Sequence, residues 1–317
     1  MLSRTADHLY WMARYLERAE TTARLLEVGA RNALLPDPSG GYRNDWEAVL
    51  QAKGTLEEFK EKYGEPNQRN IETWLFFDAE NPSSVLSCIN AARENARVVR
   101  TALTAPVWDA INSAFQELKQ LQRTERSKLM LSDLSEWTLR TCHLVRGCIQ
   151  ATQLRNDGYD FMGIGTSVER ADNTARLIDV KYYVLLPSLS YVGSGLDQSQ
   201  WALLLQSMTA QRAFNWTYTG EITAQKIAHL LILNRKFPRS LLSCVRWSCE
   251  HLDNIAENYQ TGTRAQDVAH QLLDDLSRAT VDDIFDEGLH EFLGRFMARN
   301  AGLAITVQDV YLHGMPA

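Results

Sequence analysis

The chain has 317 residues, 45% hydrophobic and 23% charged, with only 17 Gly and 8 Pro; that is enough apolar material for a core and a composition outside the disordered range. A formal net charge of −6 and a pI near 5.7 leave no cationic surplus to neutralise phosphates, which argues against DNA or RNA as a partner. No apolar run approaches the roughly 20 residues a bilayer span needs, and Met1-Leu2-Ser3-Arg4 lacks the cationic and apolar segments of a secretion signal; a cytoplasmic protein without membrane association is expected.

Taken in chain order, the pattern is helical. At 100° per residue Leu9, Met12, Ala13, Leu16, Ala19 and Ala23 share one face, which predicts an amphipathic helix over ~5–33 that Pro36, Pro38, Gly40 and Gly41 would end. A second helix is read at ~46–62. Asn81-Pro82-Ser83-Ser84 predicts a helix start, with Asn81 as the cap and Pro82 in the first turn; Val85, Cys88, Ile89, Ala92, Ala96 and Val99 form the stripe that follows. Further helices are read at ~107–127, ~132–154, ~199–232, ~263–278 and ~282–310, and no alternating run predicts a strand. The five cysteines, Cys88, Cys142, Cys148, Cys244 and Cys249, contain no CxxC pair and read as reduced core residues.

The chain also repeats itself. Residues 16–28 (LERAETTARLLEV) and 168–180 (VERADNTARLIDV) agree at eight of thirteen positions, and the other five keep size or charge, at an offset of 152. Residues 82–94 (PSSVLSCINAARE) and 238–250 (PRSLLSCVRWSCE) agree at six of thirteen, at an offset of 156. Upstream of the second block, Leu75-Phe76-Phe77-Asp78 stands where Leu231-Ile232-Leu233-Asn234 stands. The expected fold is therefore all-α, an internally duplicated helical bundle with pseudo-two-fold symmetry. Its units would be residues 1–155 and 156–317, packed as one globular body, with the boundary in the polar segment Arg155-Asn156-Asp157-Gly158.

Chemistry is sought where the apolar pattern misbehaves. With Leu16 at 0°, Glu20 falls at about 40° and Glu27 at about 20°, inside the arc of small and apolar residues, and Arg24 at about 80° is one turn from Glu20. Asp172, Asp179 and Arg176 repeat the arrangement. A charge turned inward must be paired and hydrogen-bonded, so these residues predict an internal ionic network. Two readings stay open: a lattice that only fixes helix register, or a central polar cleft. In the second, Glu17, Arg18, Glu20 and Arg24 meet Glu169, Arg170, Asp172 and Arg176, and paired guanidinium groups hold a carboxylate or phosphate. Glu94 and Arg97 make a further pair three residues apart, whose counterpart keeps Glu250 but has Asp253 in place of the arginine.

Other signals are weaker. Asp282-Asp283-Ile284-Phe285-Asp286 spells the DDxxD of all-α isoprenoid synthases, but its nearest acidic partner, Asp157 with Asp160, falls in the expected linker. Val281-Asp282-Asp283-Ile284 also aligns with Leu131-Ser132-Asp133-Leu134, as acidic caps of corresponding helices would. The seven histidines are dispersed without HExxH, so no metal site is expected, and no cofactor motif is identified. Gly163-Ile164-Gly165 leads into a helix with no strand before it, a weak phosphate-loop signal; Trp11, Trp216 and Trp247 read as core.

The segments Arg14-Tyr15-Leu16-Glu17-Arg18-Ala19-Glu20, Thr22-Ala23-Arg24-Leu25, Asn81-Pro82-Ser83-Ser84 and Ala91-Ala92-Arg93-Glu94-Asn95-Ala96-Arg97 resemble the bacterial alpha-E domain family. So do Glu169-Arg170-Ala171-Asp172, Asp179-Val180-Lys181-Tyr182-Tyr183 and Leu185-Leu186-Pro187, and the likeness runs in order over nearly the whole chain. The resemblance implies an all-α protein with an ExxR signature, mapped onto Glu94 and Arg97. It also implies partnership with a circularly permuted ATP-grasp ligase, often alongside a transglutaminase-like protein, and so a part in ATP-dependent amide or peptide bond formation. The leading expectation is an accessory or binding subunit that holds the ligase or its amino-acid or peptide substrate. In the cleft Arg18, Arg24, Arg97, Arg170 and Arg176 would recognise anions, oriented by Glu17, Glu20, Glu94, Glu169 and Asp172; self-association into a homo-oligomer stays open. The alternative is an enzyme doing acid–base or amide-bond chemistry there, with Glu20 or Glu94 as a base of raised pKa; an isoprenoid-synthase-like magnesium enzyme is a third.

Overall fold

The computed structural model describes residues 1–33, 46–185 and 195–312, with side chains for all of these but 182–185, 195 and 196. Pro36, Pro38, Gly40, Gly41, Leu186 and Pro187, and the side chains of Tyr182, Tyr183 and Leu185, lie outside the described residues. Every regular element described is helical.

Two long helices form the axis of the molecule. Helix α1 (Ser3–Asn32) buries the predicted face, with Leu9, Met12, Ala19 and Ala23 fully enclosed. It packs along α8 (Asp157–Leu185). Around them, α5 (Val85–Val98) and α7 (Leu131–Thr152) cover α1, while α12 (Leu241–Tyr259), α15 (Leu289–Val307) and α2 (Trp46–Lys53) cover α8. Close approach of the two central helices depends on Gly165: a Cβ there would lie 2.4 Å from the carbonyl oxygen of Tyr10. The Gly163-Ile164-Gly165 signal is thus a packing feature inside α8, near its N-terminal end, not a phosphate loop. Asp157 and Asp160, expected in a linker, occupy the first turn of the same helix.

The remaining elements are α3 (Leu56–Tyr63), α4 (Gln68–Glu72), α6 (Ala105–Arg123), α9 (Gly195–Ser207), α10 (Gln211–Thr217), α11 (Ala224–Ala228), α13 (Arg264–Arg278) and α14 (Val281–Glu287). Three expected helices are interrupted. That over ~46–62 breaks between α2 and α3, where Gly54 takes φ +71°, and that over ~282–310 breaks between α14 and α15, where Gly288 takes φ +101°; glycine enters this region without a Cβ penalty. The stretch over ~199–232 divides into α9, α10 and α11.

Helix α4 widens into a π turn at Thr73–Phe77 and α11 into another at His229–Leu233. Each buries three consecutive large residues, Trp74, Leu75 and Phe76 in one and Leu230, Leu231 and Ile232 in the other. Beyond each turn a serine starts the next helix: Ser84 Oγ accepts from Ser87 N at 3.1 Å and Ser240 Oγ from Ser243 N at 3.0 Å. The expected cap at Asn81 is displaced, because its Oδ1 accepts from Ser83 N at 2.9 Å and its Nδ2 donates to Trp74 O at 2.9 Å, tying the loop to the π turn instead. The five cysteines are free, and Cys88, Cys142, Cys244 and Cys249 are buried as expected. Trp216 departs from its expected core position: on the short helix α10 it is 84% exposed.

Candidate functional site

Glu17-Arg18 on α1 and Glu169-Arg170 on α8 come to the same level where the two helices run together, and each arginine forks onto the other helix's glutamate. Arg170 donates from Nε to Glu17 Oε1 at 3.0 Å and from Nη2 to Oε2 at 2.9 Å. Arg18 donates from Nε to Glu169 Oε1 at 2.7 Å and from Nη2 to Oε2 at 3.0 Å. Two-pronged guanidinium–carboxylate pairs of this kind fix distance and orientation together.

Further cations close around each glutamate. Arg14 Nε reaches Glu169 Oε2 at 2.8 Å. Arg239, just before α12, donates to Glu17 Oε1 at 2.9 Å and also to Glu20. Arg146 of α7 binds Glu17 Oε2 at 2.8 Å and Glu20 through Nη2 alone. As its helical position predicts, Arg24 pairs with Glu20 Oε1, at 3.1 Å from Nε and 2.8 Å from Nη2; its Nη1 bonds Thr209 Oγ1 at 3.2 Å and the Ser207 carbonyl. Among the described residues, three carboxylates are thus shared by six guanidinium groups.

The centre of this lattice is dry. Glu17 is 1% exposed, Glu20 0%, Glu169 3%, Arg24 2% and Arg170 4%. Burial alone raises a carboxyl pKa, but Arg170, Arg146 and Arg239 overcome it at Glu17, and Arg239, Arg146 and Arg24, with a hydrogen bond from His143, do so at Glu20. Both are held well below the usual carboxylate range, and burial of Glu169 is outweighed by Arg18 and Arg14, which bring it to about 2. Surplus cations show in the opposite direction at Arg24, whose pKa is lowered by burial and then by Arg239. Solvent reaches the lattice at its rim, where the side chains of Arg14, Arg18 and Arg146 are 14%, 21% and 29% exposed.

The expected residues divide into two groups. Glu17, Arg18, Glu20, Arg24, Glu169 and Arg170 meet at the centre, but they close on one another and do not line an open cleft. Asp172 and Arg176 pair with each other at 2.7 Å near α2, half-buried, where Arg176 also donates to Ala52 O at 3.1 Å. Beside them Lys53 Nζ donates to Thr22 Oγ1 at 3.0 Å; burial, with Arg18 and Arg176 nearby, pushes its ammonium down to about 8. Asp179, turned inward as expected, accepts from His290 Nδ1 at 2.7 Å. Glu27 pairs instead with Arg31 at the surface.

Glu94 and Arg97 do not join the lattice. Their side chains are 50% and 57% exposed, and Glu94 pairs with Arg97 at 2.8 Å and Arg93 at 2.6 Å. The hydrogen bond from Arg97 lowers the Glu94 pKa. Both carboxyl groups expected to act as a base of raised pKa are therefore shifted the other way. The Asp282-to-Asp286 run serves as a cap: Thr280 Oγ1 accepts from Asp283 N at 3.2 Å and Asp283 Oδ2 accepts from Thr280 N at 3.0 Å. Among the described residues no group of three or more His, Cys, Asp or Glu side chains is placed to hold a metal ion.

Sequence reasoning missed Arg14, Arg146 and Arg239. Arg239 leaves a trace, because it stands where the first unit has Ser83 in an otherwise matching block. Arg146 leaves none beyond its place one turn after buried Cys142.

Residues 1–312 match the model of the Alpha-E family, described as "a predicted alpha-helical domain with a conserved ER motif". The dipeptide Glu-Arg occurs in the chain at 17–18, 125–126 and 169–170, and the first and last of these are the two reciprocal pairs; the spaced Glu94 and Arg97 are not such a dipeptide. No curated protein and no solved structure matches the chain.

Proposed function

The chain belongs to the Alpha-E family, and from that premise we propose that it is a non-catalytic binding subunit of an amide-forming system, the partner of a circularly permuted ATP-grasp ligase. The observation that carries the reading is the imbalance of the lattice, six guanidinium groups on three carboxylates. Uncompensated cations in a low-dielectric centre attract an anion wherever solvent or a partner can reach them. Arg146 is such a place: only its Nη2 is committed to the lattice, and its side chain is 29% exposed. Arg18, 21% exposed with its Nε and Nη2 on Glu169, is a second place where solvent reaches the lattice. A carboxylate or phosphate of the ligase, or of its amino-acid or peptide substrate, would be held at this rim, with Glu17, Glu20 and Glu169 fixing the arginines behind it.

The acid–base alternative is less well supported, because a carboxylate held ionised by several guanidinium groups is a poor proton acceptor. We further read the chain as two copies of one helical unit about a pseudo-two-fold axis, with the two Glu-Arg pairs exchanging partners across it. The matched π turns and serine starts favour that reading. The Glu-Arg motif of the family description is assigned to 17–18 and 169–170.

The test is co-elution of the purified chain with the ATP-grasp protein of the same organism on size exclusion, repeated at low and high salt. A complex that weakens with salt and changes ligase turnover supports the proposal; a chain that elutes alone and leaves turnover unaltered overturns it.

A further inference from the structure

A cavity of about 560 Å³ lies at the junction of the end of α7, the first turns of α8 and the middle of α12. Its wall carries three carboxylates, Asp160, Glu250 and Glu257, against one guanidinium, that of Arg155. Arg155 is stacked over the Tyr159 ring at 4.2 Å, and Glu250 also faces Arg246 at 3.4 Å, so the lining remains net negative.

Asp160 is the residue that makes this a built site. It is 3% exposed, and its Oδ1 accepts from His251 Nδ1 at 2.8 Å and from Asn254 Nδ2 at 3.1 Å. Among the described residues nothing donates to its Oδ2, and this oxygen is not a sealed, partnerless polar atom: it is the side of Asp160 that the cavity opens to solvent. His251 cannot turn to supply a donor there. Its ring rests on α8 at Gly163, where a Cβ would meet Nε2 at 2.1 Å. Asp160 thus presents to a roomy cavity one carboxylate oxygen that no protein group holds, where a ligand donor can replace water.

The fold does not require this arrangement. At the offsets of the two repeats, Asp160, Trp247, His251 and Asn254 correspond to His8, Ala91, Asn95 and Val98. There the same helical junction is closed by a contact without a carboxylate, His8 Nδ1 with Asn95 Oδ1 at 2.7 Å. A buried carboxylate, an indole and the rim acid Glu257 are present on one side only; Glu250 has a counterpart in Glu94.

We propose that this cavity binds a small organic ammonium ligand, a diamine or a diamino acid. Asp160 Oδ2 accepts from the ammonium group, and Glu250 and Glu257 draw the cation in. The volume is of the size that small-molecule sites occupy, and a charge-assisted bond to Oδ2 completes the Asp160 shell. The site is separate from the guanidinium lattice and does not depend on the ligase partnership.

Calorimetric titration of the full chain with 1,5-diaminopentane and with L-lysine tests it, with glutarate as the anionic control of equal length. Saturable binding of either amine, with glutarate inert, is expected; the tighter of the two identifies the ligand as polyamine or amino acid. Asp160→Asn, checked for folding by circular dichroism, should weaken binding about tenfold or more. The paired rim change Glu250→Gln with Glu257→Gln lies at exposed positions and should weaken it severalfold and flatten its salt dependence. No saturable amine binding, glutarate binding as tight as the diamine, or unchanged affinity in these variants would overturn the proposal.

Discussion

Replacing Glu17 by Gln keeps the volume of the side chain and removes its charge at the centre of the lattice. In the native protein Glu17 accepts four hydrogen bonds from three guanidinium groups: two from Arg170, one from Arg239 and one from Arg146. These three do not lose equally. Arg146 is 29% exposed and can turn toward water, and Arg239 keeps Glu20. Arg170, 4% exposed, has Glu17 as its carboxylate partner and nowhere to go. Breaking a buried pair by removing one member costs about 3–5 kcal/mol, which at roughly 2 °C per kcal/mol for a chain of this size lowers Tm by about 6–10 °C. Urea unfolding of Glu17→Gln, Arg170→Gln and the double variant supplies the assay. The double variant should be less destabilised than the two single changes added together, with a coupling of about 1–3 kcal/mol. Glu94→Gln is the surface control, expected within about 0.5 kcal/mol of the native protein. A Glu17→Gln effect as small as that of Glu94→Gln, with no coupling to Arg170, would refute the reasoning.

Three further outcomes follow from the same geometry. The folded-state pKa values of Glu17, Glu20 and Glu169 lie below their ordinary values, so their contribution is present above about pH 4.5 and lost as pH falls toward 2; urea midpoints should be level near neutrality, drop steeply below about pH 4.5, and drop less in Glu17→Gln. Gly165→Ala would bring a Cβ to 2.4 Å from the Tyr10 carbonyl and should cost about 1–3 kcal/mol by forcing α1 and α8 apart, read as a lower Tm; an unchanged Tm would contradict the close helix contact. Lys53, whose ammonium burial depresses to about 8 from 10.5, carries a folded-state penalty while protonated, so Lys53→Met should raise Tm at pH 7. That gain should shrink between about pH 8 and 10.5, where the folded lysine is already neutral and the unfolded one is not; a destabilised Lys53→Met at pH 7 would contradict the sign.

The helical class was legible in the apolar periodicity, and the ionic centre in an acid, Glu20, set inside the apolar arc one turn from Arg24; Glu27, in the same arc, pairs at the surface instead. Glu20 with Arg24 could be paired from the i, i+4 relation alone, which is local. The exchange of Glu17 with Arg170 and Glu169 with Arg18 is not local, because helical spacing puts residues on a face without saying which helix faces it. The same gap hid Arg146, 129 residues from Glu17. Glu94 and Arg97 misled because an i, i+3 pair is as readily formed on a solvated face as in a core, and theirs is solvated. Helix ends were missed where one residue decides them, at Gly54 and Gly288, and where a loop used Asn81 for its own turn and left Ser84 to start the helix. Asp160 went unrecognised because its buried setting depends on His251 and Asn254, about 90 residues away.

Carboxyl-carbon NMR of the chain labelled at its glutamate side chains, titrated from pH 7 to the acid limit of folding, examines the guanidinium lattice at its centre. The signals of Glu17, Glu20 and Glu169, assigned by single substitution to Gln, should stay in the ionised position through pH 4, while exposed glutamates move with pKa values near 4.3. If those three titrate with the exposed group, or above it, their carboxylates are not locked between arginines, and the account of α1 and α8 joined by reciprocal ion pairs is wrong.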